Sequence, residues 1–233
     1  SSYASLVTYD YDTYNKFYNP ATGKWEKALM ATQNPNPDLH WETSSEFNVG
    51  VDFGFFNDRL SGSIDVYNKT TSGLLYSYAV PLPPNLHNST LANVGVMNNK
   101  GIELFLTGIP VQTKNFEWVS TLTMSHNSNK LVSLSNDLYE TADYVNTGGI
   151  SDPVSVSTHR VEVGGECGNF WGLKSVGGVT ADGKWIVELP DGTWVPYSTE
   201  LNSDENRQWL GSGVPDVIFN WGNNFSFYGF DVS

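Results

Sequence analysis

The sequence predicts an all-β chain whose antiparallel strands form part of the wall of a transmembrane β-barrel. Three observations predict it. Apolar and polar residues alternate over runs of about ten, the pattern of strands with one greasy and one wet face. The connections alternate between short turns and long loops rich in Gly, Pro, Asn and Ser, as strands passing up and down through a bilayer require. The wet face carries Ser, Thr, Asn, Gly and a few acids with almost no Lys, whereas a sheet facing bulk water is commonly dressed in charge.

The clearest strand is Ser45 to Phe55. Phe47, Val49, Val51, Phe53 and Phe55 fall on one face, and Glu46, Asn48, Gly50, Asp52 and Gly54 on the other, because successive side chains of a strand point to opposite sides. A turn at Phe56-Asn57-Asp58-Arg59 follows, with the Asn and Asp that tight turns favour. In the next run Leu60, Gly62, Ile64 and Val66 oppose Ser61, Ser63, Asp65 and Tyr67, so the two runs predict a hairpin. Ile102, Leu104, Leu106 and Gly108 then alternate with Glu103, Phe105 and Thr107. After a turn between Pro110 and Asn115, Phe116, Trp118, Ser120, Leu122 and Met124 oppose Glu117, Val119, Thr121, Thr123 and Ser125. Finally Val217, Phe219, Trp221, Phe225 and Phe227 oppose Ile218, Asn220, Gly222, Asn224 and Ser226, and a turn at Tyr228-Gly229 opens one more strand. The connections Asn68–Asn93, Lys130 to about Thr158, and Gly172–Gly213 read as long loops.

Composition bounds the rest. Aromatics at 14% exclude a disordered chain, and the shortage of long Ala/Leu/Glu/Lys runs argues against helices. A net charge of −13 argues against nucleic acid, whose phosphates need Lys and Arg. Cys167 is the only cysteine, so no internal disulfide forms, and it reads as a free buried thiol. No apolar run approaches the ~20 residues of a membrane helix, which leaves a barrel open, since its strands cross with about ten alternating residues. On these grounds the pattern favours a membrane barrel over a soluble β-sandwich, and both stay in view.

The segment Asn36-Pro37-Asp38-Leu39-His40-Trp41-Glu42-Thr43-Ser44 and the hairpin after it resemble the SusC/RagA family of TonB-dependent outer-membrane transporters. Asn93-Val94-Gly95 with Asn99-Lys100-Gly101-Ile102-Glu103 resembles the family's next strand start. Phe116-Glu117-Trp118 with Ser125-His126-Asn127 and Asn129-Lys130 resembles the strand after that. Gly168-Asn169-Phe170-Trp171-Gly172, Gly213-Val214-Pro215 and Phe230-Asp231-Val232 continue the order. Asp216 stands where a basic residue is usual, and Tyr228 where Lys is usual.

The alternating pattern amounts to about seven or eight strands, and the resemblance implies that residues 1–233 are part of one barrel domain of about 22 strands with a plugged lumen. It implies that the plug domain and the final strands lie outside this chain. It also implies outer-membrane localisation in a Bacteroidetes-type bacterium, energy from TonB, a SusD-like surface lipoprotein as partner, and a glycan fragment or oligopeptide as cargo. No cofactor is implied.

Catalytic and metal chemistry find little support. None of His40, His87, His126 and His159 lies three to five residues from another His or from Cys167, so no zinc spacing exists. Asp182-Gly183 and Asp191-Gly192 read as turns, and Asp204 with Glu205 lacks the spacing of a calcium loop. The candidate site is a set of loop aromatics: Trp171, Trp185, Trp194, Tyr197 and Trp209. Indole and phenol rings stack on the C–H faces of sugars; the competing reading is a membrane-interface girdle or plain loop packing. Nutrient import is thus the leading function. A soluble carbohydrate-binding sandwich and a barrel-anchored adhesin or enzyme are the alternatives. A sandwich would bury the greasy faces under a second layer of protein.

Overall fold

The computed structural model describes residues 5–135, 143–152 and 155–233. In chain order the strands are β1 (Tyr9–Asn19), β2 (Lys24–Ala31), β3 (Thr43–Phe55), β4 (Leu60–Ala79), β5 (Ser89–Gln112), β6 (Phe116–Ser133), β7 (Tyr144–Ile150), β8 (Val156–Glu162), β9 (Asn169–Gly172), β10 (Lys174–Val179), β11 (Trp185–Glu188), β12 (Trp194–Pro196), β13 (Gln208–Ser212), β14 (Ile218–Phe227) and β15 (Phe230–Val232). Two 3-10 turns, Thr199–Leu201 and Asp204–Asn206, precede β13. The strands form sheets ordered β1-β2, β10-β11-β12, β13-β9-β8-β7 and β15-β14-β6-β5-β4-β3. No described helix is long and apolar enough to cross a membrane.

Two compact units result. The first draws its described residues from Ser1–Ser44, Thr71–Met97 and Ser133–Thr141. Its hairpin pairs Tyr9 with Ala31 and Asn19 with Lys24, closing at Gly23, whose positive φ of 66° only glycine adopts cheaply. A small core joins Tyr78, Ala92 and Val94, with Tyr76 against it. Buried Asn34 organises the connection between β4 and β5. Its amide donates to the carbonyls of His87 (2.7 Å) and Ser89 (2.8 Å), and its oxygen accepts from the N–H groups of Leu86 and His87 (both 2.9 Å). A buried amide is tolerated because both its ends are paired.

The second unit draws on Ser45–Thr70, Asn98–Val132 and Ala142–Ser233. Its largest sheet carries the alternating runs. The register of β14 on β6 decides the faces: Phe219 pairs with Met124, Trp221 with Leu122, Phe225 with Trp118 and Phe227 with Phe116. On the other face Asn220 pairs with Thr123, Gly222 with Thr121 and Ser226 with Glu117. Cross-strand partners project to the same side, so the greasy and wet faces predicted strand by strand are continuous. Glycine contacts carry both faces further. A Cβ on Gly62 would meet Phe53 and Leu106, all on the greasy side, and a Cβ on Gly50 would meet Asp65, on the wet side.

The greasy face is open. Phe47 is 71% exposed, Phe219 69% and Trp221 68%, so no second layer covers them and the sandwich alternative fails. Among the described residues only Tyr78, Ala92, Val94, Leu131, Leu134, Val161 and Val187 are buried apolar side chains, far too few to hold a soluble domain of this size together.

Two polar residues interrupt the greasy face, and each meets an indole. Trp118 Nε1 donates to Asn223 Oδ1, and Trp221 Nε1 donates to Ser120 Oγ, both at 2.9 Å. Because Asn223 pairs with Ser120 in the ladder, the two bonds cross a single position. Acyl chains offer no replacement partner. Asn223→Leu is therefore expected to destabilise the full-length barrel by about 1–2 kcal/mol, and adding Trp118→Phe to recover most of it; equilibrium urea titration in vesicles checks the pair.

The predicted short turns form. Phe56, Asn57 and Asp58 all take positive φ near 54–61°, Thr113 bridges to Phe116 by backbone and hydroxyl, and Tyr228-Gly229 closes β14 onto β15. The predicted long loops are corrected. β4, β5 and β6 run for 20, 24 and 18 residues, about twice the 9–11 a bilayer crossing needs. The segments 68–79 and 89–100 are therefore largely strand. They lack the alternation because ladder hydrogen bonds continue where neither face needs to be greasy. The connections after β6 and β9 likewise carry strands β7, β8 and β10–β12, too short to announce themselves. Against the expected seven or eight strands, the described residues form fifteen, six in the large sheet and nine in the three smaller ones.

Candidate binding surface

Within the second unit the loop strands assemble the candidate aromatics. The sheet β10-β11-β12 turns at two Asp-Gly pairs, as the sequence predicts. Gly183 and Gly192 have φ of 81° and 84°. Thr180 Oγ1 donates to Asp182, and Asp191 accepts from the Thr193 N–H at 2.9 Å. Those bonds hold both carboxyls below the usual carboxylate range. The register then sorts the rings. Val187 pairs with Val195 and Glu188 with Trp194, and the Tyr197 N–H donates to the Trp185 carbonyl at 2.7 Å. Trp185, Val187 and Tyr197 therefore share one face, and Trp194 stands on the other. Trp194 continues a ladder with Glu188 and Lys174, which are joined by an ion pair at 2.8 Å. Trp185 is 59% exposed and Trp194 64%.

Trp171 and Trp209 take a different place. They pair across β9 and β13, with ring centroids 4.8 Å apart, edge to face. Trp171 also covers Arg160, whose guanidinium carbon lies 4.3 Å from its ring and 3.8 Å from the Tyr144 ring. Arg160 is 5% exposed. Its Nε donates to Asn146 Oδ1 at 3.0 Å, and its Nη2 bonds and ion-pairs with Asp204. The Trp171 indole and the Tyr144 hydroxyl each lie 3.4 Å from the same carboxylate. A buried guanidinium persists only when stacked and paired in this way.

The Arg160 hydrogen bond, with help from Trp171, holds the Asp204 carboxyl below its usual range, against the opposing effect of desolvation. A lowered pKa means stabilisation that is complete above the unfolded value of ~3.9 and is lost as pH falls through the folded value. Tryptophan fluorescence and protease resistance of this cluster are thus expected to hold from neutral pH down to about 4 and to fall only below it. Asp204→Asn removes that transition.

A sequence profile described as TonB dependent receptor-like, beta-barrel matches residues 4–232. The chain belongs to this family. Among relatives of this TonB-dependent receptor barrel, TonB-dependent receptor P26 of Formosa agariphila is 31% identical over 221 residues, 91% of this chain and 21% of its own length. TonB-dependent receptor SusC of Bacteroides thetaiotaomicron is 33% identical over 131 residues, 54% of this chain and 13% of its own length. The solved RagAB peptide transporter superposes with a TM-score of 0.70 at 23% identity, over 98% of this chain and 23% of that chain. Its open-open state gives 0.73 at 22% identity, over 99% and 23%. The chain thus spans about a fifth of the length of P26. The greasy sheet face is the lipid face of an outer-membrane barrel, which is where this family resides.

Sequence reasoning missed Arg160 and the use made of Asp204. Tyr144, Asn146, Arg160, Trp171 and Asp204 are scattered over 60 positions, and no local pattern links them. The one available signal is an Arg inside the β8 run Ser157-Thr158-His159-Arg160-Val161 of a chain poor in basic residues. Cys167 is half-buried rather than buried, and free; desolvation first and then Glu166 raise its pKa, which makes it a poor nucleophile. Among the described residues no cluster of His, Cys, Asp and Glu is arranged to hold a metal ion.

Proposed function

We propose that this chain supplies barrel wall and extracellular loops to an importer that draws nutrients across the outer membrane with energy from TonB. The match of the receptor barrel family to residues 4–232 carries the reading. In this reading residues 1–233 lie within one barrel domain, and the plug that receives the TonB signal and the last strands belong to other parts of the protein. A SusD-like lipoprotein is the surface partner, in keeping with the likeness to SusC and RagAB. The cargo is a glycan fragment or an oligopeptide. The protein acts by binding and gated passage, with no bond made or broken, and so is not an enzyme.

The loop aromatics serve unequally. Trp185 and Tyr197, which share one exposed face, are the cargo contacts we favour, with Trp194 on the reverse of the same small sheet. Trp171 supports them by stacking on Arg160, with Trp209 packed against Trp171 in turn. Deleting the full gene is expected to abolish growth on, and uptake of, the cargo. Unchanged uptake of every glycan and peptide offered would reject the transport role.

A further inference from the structure

Two adjoining cavities, of about 410 and 340 Å3, lie in the loop region of the second unit and share Leu173 and Tyr197 as a common wall. The smaller is lined by Leu173, Ser175, Trp185, Val187 and Tyr197. The larger adds Phe170, Trp171 and Leu210. Both are in the size range of ligand sites. Arg207 is the one charged residue on either lining. Among the described residues Arg207 makes no direct ion pair: the direct pairs are Arg160–Asp204, Lys174–Glu188 and Lys184–Asp182, and Arg207 acts on the Asp204 carboxylate, already paired with Arg160, only through its field. Its Nη2 donates to Asn202 Oδ1 at 2.8 Å, which steadies the guanidinium at the cavity wall and leaves further N–H donors for a guest.

We propose that this double cavity binds the carboxyl-terminal end of an oligopeptide: the terminal carboxylate on Arg207, the last apolar side chain between Tyr197, Leu173 and Trp185. The proposal rests on the transport reading and narrows its cargo. A guanidinium binds a carboxylate with two parallel N–H···O bonds, and Arg207, the one charged residue on either lining, makes an anionic end group the complementary guest. The rest of the lining argues for hydrocarbon rather than sugar. A sugar ring needs partners for its hydroxyls, or each loses its water without replacement. Here the polar side chains besides Arg207 and the Tyr197 hydroxyl are Ser157, Thr158, Ser175 and Asn202, and Asn202 is already engaged by Arg207.

The test uses the full-length transporter, purified in detergent, and four probes: the tripeptide alanyl-alanyl-leucine, the same peptide with its carboxyl terminus amidated, alanyl-alanyl-glycine, and a glucuronic-acid disaccharide. The free acid is expected to bind about ten- to a hundredfold tighter than the amide. Arg207→Gln is expected to close that gap and Arg207→Lys to retain part of it. Replacing the terminal leucine by glycine is expected to weaken binding about tenfold. Equal binding of acid and amide by the unmodified protein, tighter binding of the disaccharide, or no peptide binding would overturn the proposal. The acid–amide comparison needs no variant, so a misfolded Arg207→Gln leaves the test intact. Loss of uptake on gene deletion, together with equal acid and amide binding, rejects this site alone. Uptake that survives deletion rejects the transport reading beneath it.

Discussion

Val51→Arg should destabilise the full-length barrel by about 2–4 kcal/mol, the cost of an arginine on the lipid face near the bilayer midplane. Val51 is 59% exposed in this sheet, between Val49 and Phe53 in the middle of the greasy run of β3. In the barrel that exposure is to acyl chains. Asn48→Arg, three residues away on the wet face, should cost less than about 1 kcal/mol, because that face meets the polar interior of the barrel. The two substitutions add the same side chain to the same strand, so strand propensity and edge effects cancel between them. Urea titration of both variants in phospholipid vesicles checks the difference. Equal tolerance would mean that the faces are assigned the wrong way round.

Arg160→Ala should loosen the loop sheets by about 3 kcal/mol without opening the barrel. It removes two cation–π contacts, each about 0.5–2 kcal/mol when desolvated, and a charge-assisted bond to Asp204 of about 1.5–3 kcal/mol. Part of that gain is offset by the arginine's own desolvation, now relieved. Arg160→Lys should recover little, since an ammonium lacks the flat face that stacks between Tyr144 and Trp171. Hydrogen exchange of the full-length protein is the measurement. Faster exchange is expected in 144–150 and 169–172, with 116–125 and 218–227 unchanged. Uniform loss of protection would show instead that the loop sheets and the barrel wall open as one.

The legible part of this protein is the part whose environment varies along the strand. A residue such as Phe219 must face lipid and its neighbour Asn220 must not. That demand repeats every second position, so the period shows in the letters. It located the strand cores 45–55, 60–67 and 218–227, the turn at Phe56 to Arg59 and the hairpin at Tyr228-Gly229. Strand ends were illegible for the same reason. Beyond the hydrocarbon, at Lys69-Thr70-Thr71 or Asn98-Asn99, both faces are polar, the ladder continues, and nothing in the pattern marks where it stops. The Asp-Gly turns were readable as turns, but the three-residue pairings they support were not.

By itself the sequence determined that this chain is barrel wall, which side of each crossing strand is greasy, and that its loops are rich in aromatic rings. Only the tertiary structure decided where those rings go: Trp171 stacks on Arg160 with Trp209 against it, while Trp185 and Tyr197 share one face of their small sheet and Trp194 takes the reverse. The division has a physical reason. Facing within a crossing strand is set by a local alternation against one uniform solvent, the bilayer. The use of a loop side chain is set by partners 20 to 60 residues away, such as Asp204 for Arg160, which register and chain reversal bring together and no neighbouring residue announces.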